Sequence, residues 1–210
     1  MPSGEDLSVW AARWDQPQRA WDQGGPHPDM EDLYHHACLE GGLQPGSRVF
    51  SAGCGLAHNE AFLAARGHSV LAIDAVPRAI AEARQLYAQQ VTLDLRVADA
   101  LSVPEEERGT FAAVFDRAML CALQPENRKA YVQACRERLA EGGLFMGLLF
   151  SEVRRPEGPP FAVDESEAWH LFHEHFDLCF AAQASDLQRP QAVTAEWLCI
   201  WRMKPKGVSL

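Results

Sequence analysis

The residues best suited to chemistry in this sequence are a glycine turn, Ala52-Gly53-Cys54-Gly55, acids at Asp74, Asp99 and Asp116, and a base at Arg117. Each of these follows an apolar run. A turn of this kind between a strand and a helix lets backbone N–H groups and the positive helix N-terminus come close to a ligand. A carboxylate ending the next strand, Asp74 with Ala75 beside it, is placed to accept hydrogen bonds from two ribose hydroxyls. The arrangement points to a nucleoside-containing cofactor.

The glycine spacing narrows the choice. A dinucleotide fingerprint needs Gly-x-Gly-x-x-Gly, and His58 occupies the third glycine position, where it would hinder both the close helix–strand packing and the approach of a pyrophosphate. S-adenosylmethionine carries no phosphate and does not need that glycine, so a Gly-x-Gly turn followed by an acid resembles the pattern of adenosylmethionine-dependent enzymes. In that reading Asp99 faces the adenine edge, and the Asp116-Arg117 pair ends a central strand, where open α/β sheets place their ligands.

The elements that must position these groups alternate along the chain. Arg48 to Ala52 reads as a strand, and the helix after it sets Ala57, Ala61, Phe62 and Ala65 on one face before Gly67. Ser69 to Ile73 returns as a strand, Val76 to Gln89 as a helix with Pro77 in its first turn, and Leu93 to Asp99 as a third strand. Phe111 to Asp116 is a continuous apolar run of the kind buried on both faces of a parallel sheet. Pro125 to Leu139 reads as a helix stopped by Gly142-Gly143, followed by the strand Leu144 to Phe150. Beyond a Pro-rich loop, Asp164 caps a helix from Glu165 to His173, and Phe176 to Ala184 and Thr194 to Met203 give two closing strands. The expected fold is α/β: a doubly wound, mainly parallel, seven-stranded Rossmann-like sheet. Ahead of it, residues 1–6 read as a frayed tail, Leu7 to Trp14 as a helix stacking Trp10 and Trp14 at i, i+4, and Met30 to Gly41 as a second helix. Residues 1–45 are expected to form a helical lid over a domain spanning 46–203.

The bulk numbers exclude several classes. The chain has 210 residues, 47% of them apolar, enough for one full core. Its formal net charge of −10 and the lack of any Lys/Arg-dense run argue against nucleic acid as a partner. Six cysteines stand without paired or Cys-x-x-Cys spacing and read as reduced thiols. No His/Cys/carboxylate cluster has metal-ligand spacing, so no metal is expected. With no leader-like N-terminus and no stretch of 18 apolar residues, a soluble, cytoplasmic protein is expected, not one held in a membrane.

Taken together, several pieces resemble the thiopurine S-methyltransferase family and its thiol and halide methyltransferase relatives. They are the Trp10/Trp14 helix, Trp21-Asp22 and the glycines after it, Arg48-Val49-Phe50, Cys54-Gly55, Arg66-Gly67-His68-Ser69-Val70, Phe115-Asp116-Arg117, Pro125 to Tyr131, and Gly158-Pro159-Pro160-Phe161. The Trp21-Asp22 segment is closer to the thiol/halide branch. The resemblance implies a class I methyltransferase fold, S-adenosylmethionine as donor, and a small-molecule acceptor. It implies that Trp10, Trp14 and Trp21 close over the cofactor and that Ala52 to Gly55 hold its methionine part. Asp74 with Ala75 would take the ribose, Asp99 with Ala100 the adenine, and Asp116 with Arg117 would lie at the sulfonium and acceptor. Ser51 stands where many class I enzymes carry an acid.

The acceptor chemistry follows from charge. A thiol with pKa near ~8.5 is already a few per cent thiolate at neutral pH, and a guanidinium beside it, Arg117, raises that fraction. An S-methyltransferase therefore needs positioning more than a base. The alternatives are an O- or N-methyltransferase, which would need a dedicated base such as His27, His35, His36 or His58, and a halide or thiocyanate methyltransferase. A monomer or weak homodimer is expected.

Overall fold

The computed structural model describes residues 4–16, 19, 21–185 and 192–205. Seven strands form one sheet: β1 (Arg48–Ala52), β2 (Ser69–Asp74), β3 (Leu93–Val97), β4 (Phe111–Arg117), β5 (Leu139–Val153), β6 (Phe176–Gln183) and β7 (Val193–Met203), in the order β3-β2-β1-β4-β5-β7-β6. The first five run parallel, and β7 enters antiparallel between β5 and β6. The helices are α1 (Gly4–Trp14), α2 (Met30–Leu39), α3 (His58–Ala65), α4 (Pro77–Leu86), α5 (Met119–Ala122), α6 (Pro125–Arg138) and α7 (Glu165–Phe172).

Alternate residues of the central strands point to opposite faces, which divides the core in two. Phe50, Leu71, Val114 and Phe145 pack with Tyr131 of α6 and Phe172 of α7. On the other face Val49, Val70, Ala113 and Leu144 pack with Leu33 of α2, Leu63 of α3 and Ile80 of α4. The strand order reverses between β1 and β4, so the turns leaving those two strands diverge and open a crevice at their carboxyl ends. The doubly wound sheet expected from sequence is present.

Some boundaries differ for local physical reasons. The buried face of α3 is Asn59, Glu60, Ala61, Leu63 and Ala64, while Ala65 is exposed. Ala57 and Ala61 are buried and Phe62 packs on the core as expected, and the helix also turns two polar residues, Asn59 and Glu60, inward. Gly142-Gly143 does not stop a helix. Leu139 already pairs with Phe111, and the glycines lie within β5 where the register shifts; a side chain on Gly143 would meet the carbonyls of Ala140 and Ala112 at 2.9 and 3.1 Å. Helix α1 begins at Gly4, inside the stretch read as a tail, α4 ends at Leu86, and β3 ends two residues before Asp99. Residues 1–3 and 206–210 lie outside the described residues.

Candidate active site

A cavity of about 770 Å³ occupies the crevice, floored by the turn after β1 and roofed by the N-terminal segment and the Gly158–Pro160 loop. The turn needs its glycines. Gly53 and Gly55 have φ of 65° and 55°, and a side chain on Gly53 would stand 2.7 Å from the Met119 sulfur. At Gly55 it would stand 3.6 Å from the indole of Trp14. Backbone is thereby exposed to whatever the cavity holds, at the entry to α3.

Asp74, at the end of β2, is largely buried; its two oxygens accept N–H bonds from Gly55 (3.0 Å) and Val76 (2.9 Å). Burial pushes its pKa up and those two donors oppose the shift. Each oxygen keeps a second lone pair for a ligand hydroxyl. Asp99 accepts from the Leu101 amide at 3.0 Å, which shapes the turn that Ala100 enters. Arg138, buried under this segment, fixes it by donating to the carbonyls of Ala100 (3.0 Å) and Ser102 and to Glu107 (2.9 Å).

Overhead, Trp21 lies edge-on to both Trp10 and Trp14, each at 5.9 Å between ring centres. Guanidinium groups lie over two of the rings: Arg13 over Trp10 at 4.9 Å and Arg19 over Trp14 at 4.4 Å. Arg13 also donates two 3.2 Å hydrogen bonds to the carbonyl of Pro159, joining the N-terminal helix to the loop after β5. That loop is held by Phe161 N–H donating to Cys121 O (2.7 Å) and by buried Arg128, which donates to Leu120 O, Ala162 O and Glu167.

Of the residues expected at the site, Trp10, Trp14, Trp21, Gly53, Cys54, Gly55, Asp74, Ala75, Asp99, Ala100 and Arg117 line this cavity. Ala52 and Asp116 are buried and do not. Asp116 instead accepts from the amides of Met119 (3.1 Å) and Leu120 (3.2 Å), fixing the sharp turn in which Ala118 takes φ 71°. Burial pushes its carboxyl up to about 7. Adjacent strand residues face opposite ways, so only Arg117 of the pair reaches the cavity.

Arg117 is itself deeply set. Its guanidinium lies 4.0 Å from Glu196 of β7, which lies 3.1 Å from Nε2 of His27, and both partners are buried. Burial works against the arginine's charge, and Glu196 and then Glu60 restore it. The imidazole nitrogens of His58 are both engaged, Nδ1 with Tyr87 (2.5 Å) and Nε2 with Asp22 (3.2 Å). His27, His35 and His36 do not line the cavity. Burial, with Glu60 and Asp74 nearby, holds the Cys54 thiol well above its ordinary pKa and so neutral. Among the described residues no cluster of three His, Cys, Asp or Glu side chains is placed to hold a metal.

Sequence reasoning missed Glu60, Glu196, Arg13 and Met119. Glu60 was hidden by the alanine pattern of α3, and Glu196 sits on a strand remote in sequence from Arg117. The residues present suit S-adenosylmethionine: a φ-positive turn for its methionine part, an acid for its ribose, an unpartnered buried carboxylate oxygen on Glu60, and an aromatic roof for a sulfonium cation.

Comparison with known proteins agrees with this geometry. The thiopurine S-methyltransferase of Azotobacter vinelandii is 28% identical over 209 residues, covering 92% of this chain and 91% of that protein. Thiocyanate methyltransferase 1 of Arabidopsis thaliana is 28% identical over 163 residues, covering 75% and 67%. A solved structure from work on the conversion of a disulfide bond into a thioacetal group during echinomycin biosynthesis superposes with a TM-score of 0.78 at 21% identity, covering 97% of this chain and 94% of that one. A model of the thiopurine S-methyltransferase family matches residues 5–202, and the chain belongs to that family of S-adenosylmethionine-dependent methyltransferases.

Proposed function

We propose that this enzyme methylates the sulfur of a compact thiol, with residues 1–45 closing over the cofactor as a lid and Arg117 biasing the acceptor toward its thiolate. The observation that carries the reading is one continuous cavity. It runs from the Gly53–Gly55 turn past Arg117 to the Gly158–Pro160 loop, and at about 770 Å³ it has to hold donor and acceptor together. A small acceptor fits beside the donor in such a space.

When bound, S-adenosylmethionine supplies an electrophilic methyl group. The chain's own residues orient, charge and shield. The turn and Asp74 fix the donor end. Arg117, pointing into the same space from β4, stabilises an anionic sulfur, although Glu196 offsets part of its charge. Trp10, Trp14 and Trp21 exclude water from above. No lining histidine has a free ring nitrogen to act as a base, which disfavours a neutral hydroxyl or amine as acceptor.

The same reading includes a monomer or weak homodimer acting on small molecules in the cytoplasm, apart from nucleic acid and membranes. The net charge of −10 supports the part that concerns nucleic acid, and no helix among the described residues is long and apolar enough to cross a membrane. The experiment is a panel of acceptors with labelled donor: an aromatic thiol, an aliphatic thiol, a phenol, an amine, iodide and thiocyanate. Methylation of thiols well above phenol and amine is expected, and a preference for the phenol or amine would overturn the reading.

A further inference from the structure

S-adenosylmethionine carries a sulfonium, an α-ammonium and a carboxylate, and the cavity must answer the ammonium with an anion. Among the described residues five acids line it: Asp22, Glu60, Asp74, Asp99 and Glu157. Asp22 is engaged with His58 and with the Gly24 amide at 2.9 Å, and Glu157 is exposed at the mouth. Asp74, ending β2, and Asp99, two residues past β3, serve backbone amides. Glu60 differs from all four.

Glu60 lies in the first turn of α3, directly after the glycine turn, and is 3% exposed. Its Oε1 accepts from the Ser51 hydroxyl at 2.6 Å, while Oε2 has no hydrogen-bond partner among the described residues. An unpaired oxygen of a buried carboxylate is costly, and a ligand cation with N–H donors relieves that cost. We propose that Glu60 is the residue that receives the α-ammonium of the cofactor, with Ser51 bracing its other oxygen so that Oε2 faces the ligand. The inference rests on the cofactor being S-adenosylmethionine and says which residue selects for its amino group.

The groups facing Glu60 set its charge. Ser51 comes from β1, Arg117 from β4, Asp74 from β2, Cys54 from the turn, and Tyr87 from the end of α4. Burial, the largest influence, pushes its carboxyl up to about 7, while the Ser51 hydrogen bond, its own backbone amide and then Arg117 pull it down and Asp74 raises it. In the free protein near neutral pH a sizeable fraction of Glu60 is therefore protonated. Binding an ammonium favours the carboxylate, so the proton is released to solvent.

Calorimetry with S-adenosylhomocysteine, which carries the same amino group, tests this without turnover. At pH 6.5, in buffers of differing ionisation enthalpy, the wild type is expected to release protons on binding, and its affinity should fall at least about tenfold for an analogue with hydrogen in place of the amine. Glu60→Gln, which keeps the shape and can still accept from Ser51, should weaken S-adenosylhomocysteine by about ten- to a hundredfold, weaken the analogue by less than about threefold, and abolish the proton release. Equal loss for both ligands, or affinity unchanged in Glu60→Gln, overturns the assignment. So does wild type that neither releases protons nor distinguishes the two ligands, a result that needs no folded variant. Failure of S-adenosylhomocysteine to bind wild type at all would instead remove the cofactor reading beneath it.

Discussion

Arg13 donates through both terminal nitrogens, each at 3.2 Å, to the carbonyl oxygen of Pro159, a residue 146 positions further along the chain. This clasp holds the tryptophan-bearing helix against the loop that follows β5. Arg13→Ala removes it, with a cost of about 1.5–3 kcal/mol to the closed arrangement. The expected result is faster proteolysis within residues 4–30 and cofactor affinity lower by roughly tenfold, both read against wild type with S-adenosylhomocysteine present.

Asp74→Ala should lower donor affinity by about ten- to a thousandfold with the sheet intact, since two charge-assisted hydrogen bonds to a ribose are lost and the Gly55 and Val76 amides lose their acceptor. Because burial raises the Asp74 pKa, the ionised form is lost on acidification at a higher pH than for an ordinary aspartate. Wild-type donor affinity should therefore decline from that higher pH, and calorimetry across pH 4 to 7 reads it. Affinity flat through that range would contradict the role.

Arg117→Met is expected to slow thiol methylation most below the pKa of the acceptor thiol, while donor affinity changes by less than about threefold. The check is a pH–rate profile of both proteins on one thiol. A loss of the same size where the acceptor is fully ionised would make Arg117 a structural residue. Glu196, 4.0 Å away, makes a companion test: Glu196→Gln frees more of the arginine's field and should raise the thiolate fraction of bound acceptor.

Asp116 couples folding to pH with a definite sign. Its folded pKa of about 7 stands above the ordinary aspartate value of ~3.9, so the stabilisation linked to its proton is full below about pH 4 and is lost as pH rises through 7. Asp116→Asn removes that linkage. Its melting temperature relative to wild type should therefore climb between pH 5 and pH 8, whatever constant offset comes from the altered cap on Met119 and Leu120. A parallel pair of curves would show that Asp116 titrates normally.

The β1–α3–β2 unit was legible because its signals are local: an apolar run, two glycines that only a turn explains, and an acid where the next strand stops. Groups that face the cavity by virtue of long-range placement were not. The alanines of α3 marked a buried face but gave no sign that Glu60 also turns inward, where Ser51 of β1 bonds it. Asp116 and Arg117 read as a working pair because they are adjacent, yet strand alternation sends one into the core and the other into the cavity. His58 shows the same limit. Its place in the glycine pattern excluded a dinucleotide, but nothing local revealed that Tyr87 and Asp22 would occupy both its nitrogens.

The insertion of β7 between β5 and β6 has a consequence for how the enzyme comes into being. Glu196, opposite Phe150 in the register of β5 and β7, is translated after all the described residues that line the cavity. Until it arrives, β5 presents a long unpaired edge, β6 has no neighbour in the sheet, and Arg117 stands without its closest carboxylate. A nascent chain can therefore pair β1 to β4 ahead of β7. Arg117 gains its buried counter-charge only when β7 closes the sheet.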